Sequence, residues 1–437
     1  MISSPESEKI STGQTEINQL VDHLFRHESG KTVSVLTRIF GSENLELAED
    51  VVQDSLVEAI QQWAYKGIPE NPSGWIFRVA KNKALKIVNR EKYQRQYRSD
   101  VIHLLQSEWT AEPAMDQLFS EEEILDDQLR MMFTCCHPSV SPDSQVALIL
   151  KTLCGFSIPE IARAFLTGNE NINKRLVRAR QKIRESKVPF EVPAGRALKE
   201  RLQTVLETIY LLFNEGYSAS AGMELIRYEV CEEAIRLTEI IASHPSVENK
   251  SDVYALLALM QLNASRSKAR QDKEGNILTL AEQDRALWDF TMMEKGFSNL
   301  GRSISGEQIS IYHILASISS YHCSAASFQS TDWESILFLY DKLVQADPSP
   351  VVIMNRAVAL AKVKGSETAI AELERLNKIP SLQSYHLYYS AIAELYMDLN
   401  RFQEAAAMLR RAIELAPVPT EKIFLRRKLS ACEKKYL

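Results

Sequence analysis

The chain has 437 residues, a net charge of -6, 45% hydrophobic and 25% charged residues, a balance typical of globular domains and far from disordered or collagenous chains. Its length suggests about three compact units. Six cysteines (Cys135, Cys136, Cys154, Cys231, Cys323 and Cys432) lack the spacing of a disulfide scaffold, and neither a signal peptide at Met1 to Glu16 nor a membrane-length apolar run is present, so a cytoplasmic protein with no membrane association is expected.

Helical periodicity dominates and no run alternates as a strand would, so the expected fold class is all-α. After a polar N-terminus (1–16), Leu47 to Ile60 is amphipathic: Val52, Leu56 and Ala59 share one face, and Glu49, Asp50, Gln53 and Asp54 line another. A second helix, Gly74 to Arg90, turns Ile76, Ala80, Ala84 and Ile87 inward. Its opposite side carries Arg78, Asn82, Lys86 and Arg90 at every fourth position, a stripe suited to a phosphate backbone. The loop between them holds Gly67, Pro69 and Pro72 and is flanked by Trp63, Tyr65 and Trp75. Rings beside a basic stripe suit stacking of unpaired bases; core packing is the alternative, and for Trp75 the two weigh equally.

Charge then changes sign along the chain. Basic residues from Arg78 to Arg98 give way to an acidic stretch containing Glu108, Glu112, Asp116, Glu121, Glu122, Glu123, Asp126 and Asp127, and a second basic cluster runs from Lys174 to Lys187. Two basic surfaces joined by an acidic connector (99–120) suggest two nucleic-acid contacts. In the unit that follows (121–188), Ser157 to Phe165 and Asn171 to Glu185 read as a helix-turn-helix with its turn at Gly168. Ile158, Ile161 and Ala162 face inward from its first helix, and Ile172, Leu176, Ala179 and Ile183 from its second. Asn171, Asn173, Lys174, Arg175 and Arg178 are left free for base edges and phosphates.

Pro189 and Pro193 mark the next boundary, ahead of a helical region (195–330) and a final segment (331–437). Tyr389, Ile392, Ala393, Tyr396, Ala405, Leu409, Ala412 and Pro417 have tetratricopeptide spacing, with a weaker copy upstream whose turn falls at Gly365; an irregular helical bundle is the alternative. Cys135, Cys136 and His137 lack metal-ligand spacing, so no metal is expected. Asn214, Glu215, Tyr217, Asp284, Arg285 and Trp288 read as a polar network, because no nucleophile and base are paired among them. No glycine-rich phosphate loop appears, and neither an enzyme nor a cofactor is expected.

The strings AEDVVQDSLVEAI (Ala48 to Ile60) and PSGWIFRVAKNKALKIVNR (Pro72 to Arg90) resemble region two of extracytoplasmic-function RNA polymerase sigma factors, and NINKRLVRARQKIR resembles their region-four recognition helix. The resemblance implies that the acidic face (Asp50, Gln53 and Asp54, with Glu49 beside them) binds core RNA polymerase at the β′ clamp helices, with the β flap a further contact. It implies that the loop and second helix capture the minus-ten element of promoter DNA, Asn82 holding a flipped base, and that the recognition helix reads the minus-thirty-five element. The strings FTCCHPSVSPDSQVALILKTLCGFSIPEIARAF, YLLFNEGYSAS, AEQDRALWD and TDWESILFLYDKLVQADPSPVVIMNRAVA resemble the subgroup whose region four continues into a long helical extension. The extension is read as a built-in regulator, with a protein partner expected on the repeats. The rival readings are a tetratricopeptide adaptor and a dimeric helix-turn-helix repressor.

Overall fold

The computed structural model describes residues 20–21, 24, 28–91, 120–165, 167–217, 228–273, 276–305, 308–376, 379–416 and 419–436. The expected N-terminal segment 1–16, the connector up to residue 119, and Lys92, Arg95, Arg98 and Pro417 lie outside them. The described residues are helical and contain no strand, only an isolated bridge between Gln271 and Ile277. The all-α expectation holds. Two compact units are present, one of residues 1–163 and 167–211, the other of 164–166 and 212–437.

The first unit contains α1 (28–40), a 3-10 turn (Ser42–Asn44), α2 (Leu45–Lys66), α3 (Pro72–Glu91), α4 (Glu121–Cys135), α5 (Pro142–Thr152), α6 (Ile158–Ala164), α7 (Asn169–Glu185) and the start of α8 (Gly195–Tyr217). Leu45, Ala48, Val52, Leu56, Ala59 and Trp63 recur at helical spacing along α2 and are buried. That helix stops at Gly67, whose φ of 78° suits glycine and whose N–H caps the Trp63 carbonyl at 3.0 Å. Pro72 opens α3, and Asn71 Oδ1 accepts the Gly74 N–H at 2.9 Å. Lys83 on α3 then reaches back to α2, donating to the Asp54 carbonyl at 2.9 Å and facing Glu58 at 3.1 Å.

Glu121, Glu122 and Glu123, grouped by charge with the connector, form the first turn of α4. There they lie at the positive end of the helix behind the Ser120 cap. Asp127 is fully buried with Arg130 at 2.5 Å and Arg38 at 3.8 Å. Burial pushes its carboxyl up to about 7 against the opposing pull of both arginines. Further along, Arg201 of α8 donates to the Phe133 carbonyl, and Thr208 Oγ1 donates to Gln145 Oε1 at 3.1 Å. The division between the units therefore falls inside α8, beyond Pro189 and Pro193.

In the second unit, α9 (Tyr228–Ser243), α11 (Phe290–Ser303) and α12 (Ile311–Ser324) surround α10 (Ser251–Ala264), which is buried from Val253 to Leu262. Gly296 permits the closest approach: a Cβ there would lie 2.8 Å from Leu262 Cγ. The remaining helices are α13 (Trp333–Ala346), α14 (Pro350–Lys364), α15 (Ser366–Arg375), α16 (Pro380–Gln383), α17 (His386–Asp398), α18 (Phe402–Leu415) and α19 (Pro419–Tyr436). Neighbours pack as α13 with α14, α14 with α15, α17 with α18, and α18 with α19. Gly365, at φ 90°, turns the chain between α14 and α15, and Ala393, Ala405, Leu409 and Ala412 share one buried cluster.

All six cysteines are free and buried, and the Cys136 thiol is pushed up to about 12 by burial. Among the described residues no group of His, Cys, Asp and Glu could hold a metal ion, and no helix is long and apolar enough to cross a membrane.

Asp127 yields a pH test. Folded, it keeps its proton up to about pH 7; unfolded, it releases it near the ordinary carboxylate value of about 4. Between these values the folded state binds the extra proton, so this group's contribution to stability declines as pH rises. Asp127→Asn removes that dependence. The melting temperature of the native chain relative to the variant should fall from pH 5 to pH 7 and level off by pH 8. A difference that stays flat across this range would refute a buried protonated Asp127.

Candidate nucleic-acid interface

Ile76, Ala80 and Ala84 are buried on α3, whereas Ile87, expected beside them, is half-buried. The outward face presents Arg78, Asn82, Lys86 and Arg90, all exposed. Successive members are about 6 Å apart along the helix. Among the described residues none of the three cations is engaged in an ion pair.

The three rings at the loop separate. Trp63 is only 2% exposed and meets Trp75 edge-on, with centroids 5.5 Å apart; it belongs to the core. Tyr65 is 92% exposed, and Trp75 is half-buried. A ring that stacks on a base needs an open face, which Tyr65 has and Trp63 lacks.

In the helix-turn-helix, Ser157 and Glu160 form a capping box: Ser157 N–H donates to Glu160 Oε2 at 2.8 Å, and Glu160 N–H to Ser157 Oγ at 3.4 Å. Ile161 and Ala162 are buried, Ile158 half-buried. The second helix opens at Asn169 behind an extended Gly168, two positions earlier than the sequence suggests. Ile172, Leu176, Ala179 and Ile183 face inward. Asn171, Asn173, Lys174 and Arg178 are exposed, while Arg175 is half-buried and faces Asp143 at 3.6 Å. Asn171 donates to Thr167 Oγ1 at 2.7 Å, and Lys174 pairs with Glu170 at 2.7 Å.

The acidic face of α2 is also divided. Asp50, Gln53 and Asp54 are exposed, and Glu46, one turn earlier, extends them into a ridge that the sequence reading missed. Partial burial, then repulsion from Glu46 and Asp54, raises the Asp50 carboxyl above its ordinary value. Glu49 does not join this ridge. It is 6% exposed and ion-paired to Arg180 of α7; burial raises its pKa, with Arg180 and Lys151 pulling the other way.

This pair has company. Arg38 pairs with Glu123, the Ser42 hydroxyl donates to the Val188 carbonyl, and Arg184 Nε donates to the Glu43 carbonyl at 3.3 Å. Gly30 lies so close to α5 that a Cβ there would be 2.1 Å from the Leu153 carbonyl oxygen. The segment carrying α1 to α3 and the segment carrying α4 to α7 are thus packed into one body. Sequence reasoning missed Arg38, Arg180 and Arg184. Arg180 borders the Leu176 and Ile183 stripe, but its partner lies 131 positions away.

Family models match the first segment as Sigma-70 region 2 (residues 24–94) and the second as Sigma-70, region 4 (130–183), and a family of unknown function, DUF6596, covers 201–304. Two such regions in this order define a promoter-recognition subunit of RNA polymerase. The uncharacterized protein R00370 of Rhizobium meliloti (strain 1021) is 34% identical over 402 residues, spanning 91% of this chain and 92% of its own. No solved structure matches. The chain belongs to the sigma-70 family, as an extracytoplasmic-function-type sigma factor with a DUF6596 extension.

The contrast between the rings can be measured. Trp63→Ala should lower stability by about 3–5 kcal/mol, the usual cost of emptying a buried aromatic site, and Tyr65→Ala by less than about 0.5 kcal/mol. Equal urea midpoints for the two variants would contradict the burial described.

Proposed function

We propose that this sigma factor engages core polymerase through the ridge of Glu46, Asp50, Gln53 and Asp54, captures a melted minus-ten base beside Tyr65, Trp75 and Asn82, and reads the minus-thirty-five element with α7. The exposed, unpaired stripe of Arg78, Lys86 and Arg90 beside that loop carries the reading, because unpaired cations in register along a helix suit a single phosphate backbone. Asn171, Asn173 and Lys174 take base edges, and Arg175 and Arg178 take phosphates. The factor performs no chemistry of its own; it melts DNA by binding the opened strand better than the duplex.

The packed first unit is, in this reading, a resting form. Two elements centred at minus ten and minus thirty-five are about 25 base pairs apart, or about 85 Å along the duplex. A compact body of this unit's size is only about 40 Å across. Regions two and four must therefore part before both elements are bound, and Glu49 becomes available to polymerase only when it leaves Arg180.

The extension after α8 is proposed to regulate this cycle and to offer a protein partner the surface of its paired helices, as stacked helical repeats commonly do. Since Arg201 and Thr208 bond to the region-four segment, a truncation that tests the extension should end after Tyr217 and spare them. Such a truncation should still bind core polymerase and should change transcription strongly.

In vitro transcription with purified core polymerase on a promoter library tests the main reading, which expects initiation at promoters sharing two spaced elements. Charge reversal at Asp50 and Asp54 together should abolish it with the fold intact. Full activity in that folded double variant would sink the polymerase-binding assignment. Arg180→Gln should act oppositely on the resting form. By raising the fraction of open molecules it should tighten apparent binding to core polymerase and increase the radius of gyration in solution scattering. An unchanged radius and affinity would argue against a closed resting state.

A further inference from the structure

The second unit contains three arginines that have no counter-charge among the described residues. Arg266 donates Nη2 to Asn263 Oδ1 at 2.7 Å and to the Tyr217 hydroxyl at 3.4 Å. Arg270 lies 4.1 Å over the Tyr217 ring and donates to the Tyr217 carbonyl at 2.5 Å. Arg285 stands 4.3 Å over the Trp288 ring, with Nη1 shared between the carbonyls of His322 at 3.0 Å and Ala325 at 2.7 Å. These contacts converge on one place. Trp288, Leu262, Ala269 and Cys323 share a buried cluster, and the Asp289 N–H donates to the Ser265 carbonyl at 2.8 Å. The end of α10, the turn at 285–289 and the end of α12 are thereby drawn together.

Every partner of the three arginines is neutral; among the described residues none is paired with a carboxylate. Elsewhere in the unit arginines are paired: Arg356 with Asp341 and Glu372, Arg236 with Glu233, Arg410 with Glu433. Carboxylates on the same turn are committed to other work. Asp284 accepts the Ala286 N–H and Asp289 the Met292 N–H, each at 2.9 Å, as helix caps, and Glu282 accepts from Thr279 and faces Arg427.

The cluster also has unmet hydrogen-bonding capacity. Arg266 Nε, Arg285 Nη2, Trp288 Nε1 and His322 Nδ1 are buried with no partner. His322 is kept neutral, its pKa pushed down to about 4 by burial and then by Arg266 and Arg285, so it adds a polar nitrogen without adding charge. Buried guanidinium groups are costly unless an anion or full hydrogen bonding compensates them. Orphaned N–H groups on two guanidinium planes and an indole are the complement of an oxyanion, whose oxygens accept several charge-assisted bonds at once. Arg266, Arg285 and His322 are themselves only partly buried, so the cluster reaches the surface.

We propose that Arg266, Arg285, Trp288 and His322, with Arg270 behind them, form a binding site for the oxyanion group, phosphate or carboxylate, of a small ligand. Two of the residues in the polar network marked in the sequence, Arg285 and Trp288, belong to this site, and a third, Tyr217, holds Arg270 and Arg266 beside it; the network is accordingly a receptor rather than only internal packing. Binding is independent of the sigma-factor reading and is tested without transcription.

The test is isothermal titration of the full-length chain, at fixed ionic strength against a chloride control, with inorganic phosphate in one series and acetate in the other. One of them should bind saturably and raise the melting temperature, and the series that does so identifies the ligand's anionic group. Arg266→Gln with Arg285→Gln should weaken that binding at least tenfold and, by removing repulsion, should not lower the melting temperature in anion-free buffer. Trp288→Phe keeps the ring and removes one donor; it should weaken binding several-fold, and it decides the matter if the double variant fails to fold. The proposal is overturned if neither anion binds above the chloride control, if the folded double variant binds as the native chain does, or if Trp288→Phe binds unchanged.

Discussion

The carboxylate of Glu49 and the guanidinium of Arg180 meet across 131 positions of chain, and the form of the first unit depends on that meeting. A carboxylate at 6% exposure is disfavoured in its charged form by burial, with Arg180 and Lys151 pulling the other way. Its pairing offsets a desolvation cost of several kcal/mol per ion. Removing either partner alone would strand the other. We read the pair less as a source of stability than as a registration device, set beside the packing of the 3-10 turn Ser42–Asn44 on α7.

What this registration leaves outside is as informative as what it covers. The stripe on α3, Asn171, Asn173, Lys174 and Arg178 of α7, and Asp50 and Asp54 all remain exposed, with Arg175 half-buried; on the acidic face only Glu49 is withdrawn. Closure therefore does not mask the surfaces proposed to touch DNA. It limits how far apart they can be, and takes one carboxylate from the face proposed for polymerase. In the proposed cycle, a basic partner approaching the remaining ridge would compete with Arg180 for acidic charge, which would give opening an electrostatic trigger sensitive to salt.

Much of this was legible in the chain because the signals are local. The inward set Ile172, Leu176, Ala179 and Ile183 follows from helical spacing alone, as does the exposed quartet Arg78, Asn82, Lys86 and Arg90. Trp63 was harder: an aromatic beside a basic loop suits a base platform, and only its burial, at 2% exposure and edge-on to Trp75, puts it in the core. Glu49 carries the same charge as Asp50, yet its spacing of three and seven from Val52 and Leu56 turns it toward the buried face; that it meets Arg180 there is not legible in the chain. The prolines at 189 and 193 do interrupt helix, yet the unit continues to residue 211, because Leu202, Val205, Leu206 and Ile209 are apolar at helical spacing and are buried. Periodicity announces that burial without naming the partner. Arg266 and Arg270 escaped for the same reason, and Arg285 was marked only as part of a polar network, since missing counter-charges are a property of three dimensions.

The six cysteines offer a different kind of use. Cys135, Cys136 and Cys154 are sealed in the first unit, and Cys231, Cys323 and Cys432 in the second. A thiol reacts as its thiolate and only where a reagent can reach it, so the folded chain presents a thiol reagent with no ready target. Each unit consequently carries its own silent chemical clock: alkylation of one set of thiols or the other, resolved by peptide mass, times the breathing of that unit alone in an unmodified protein.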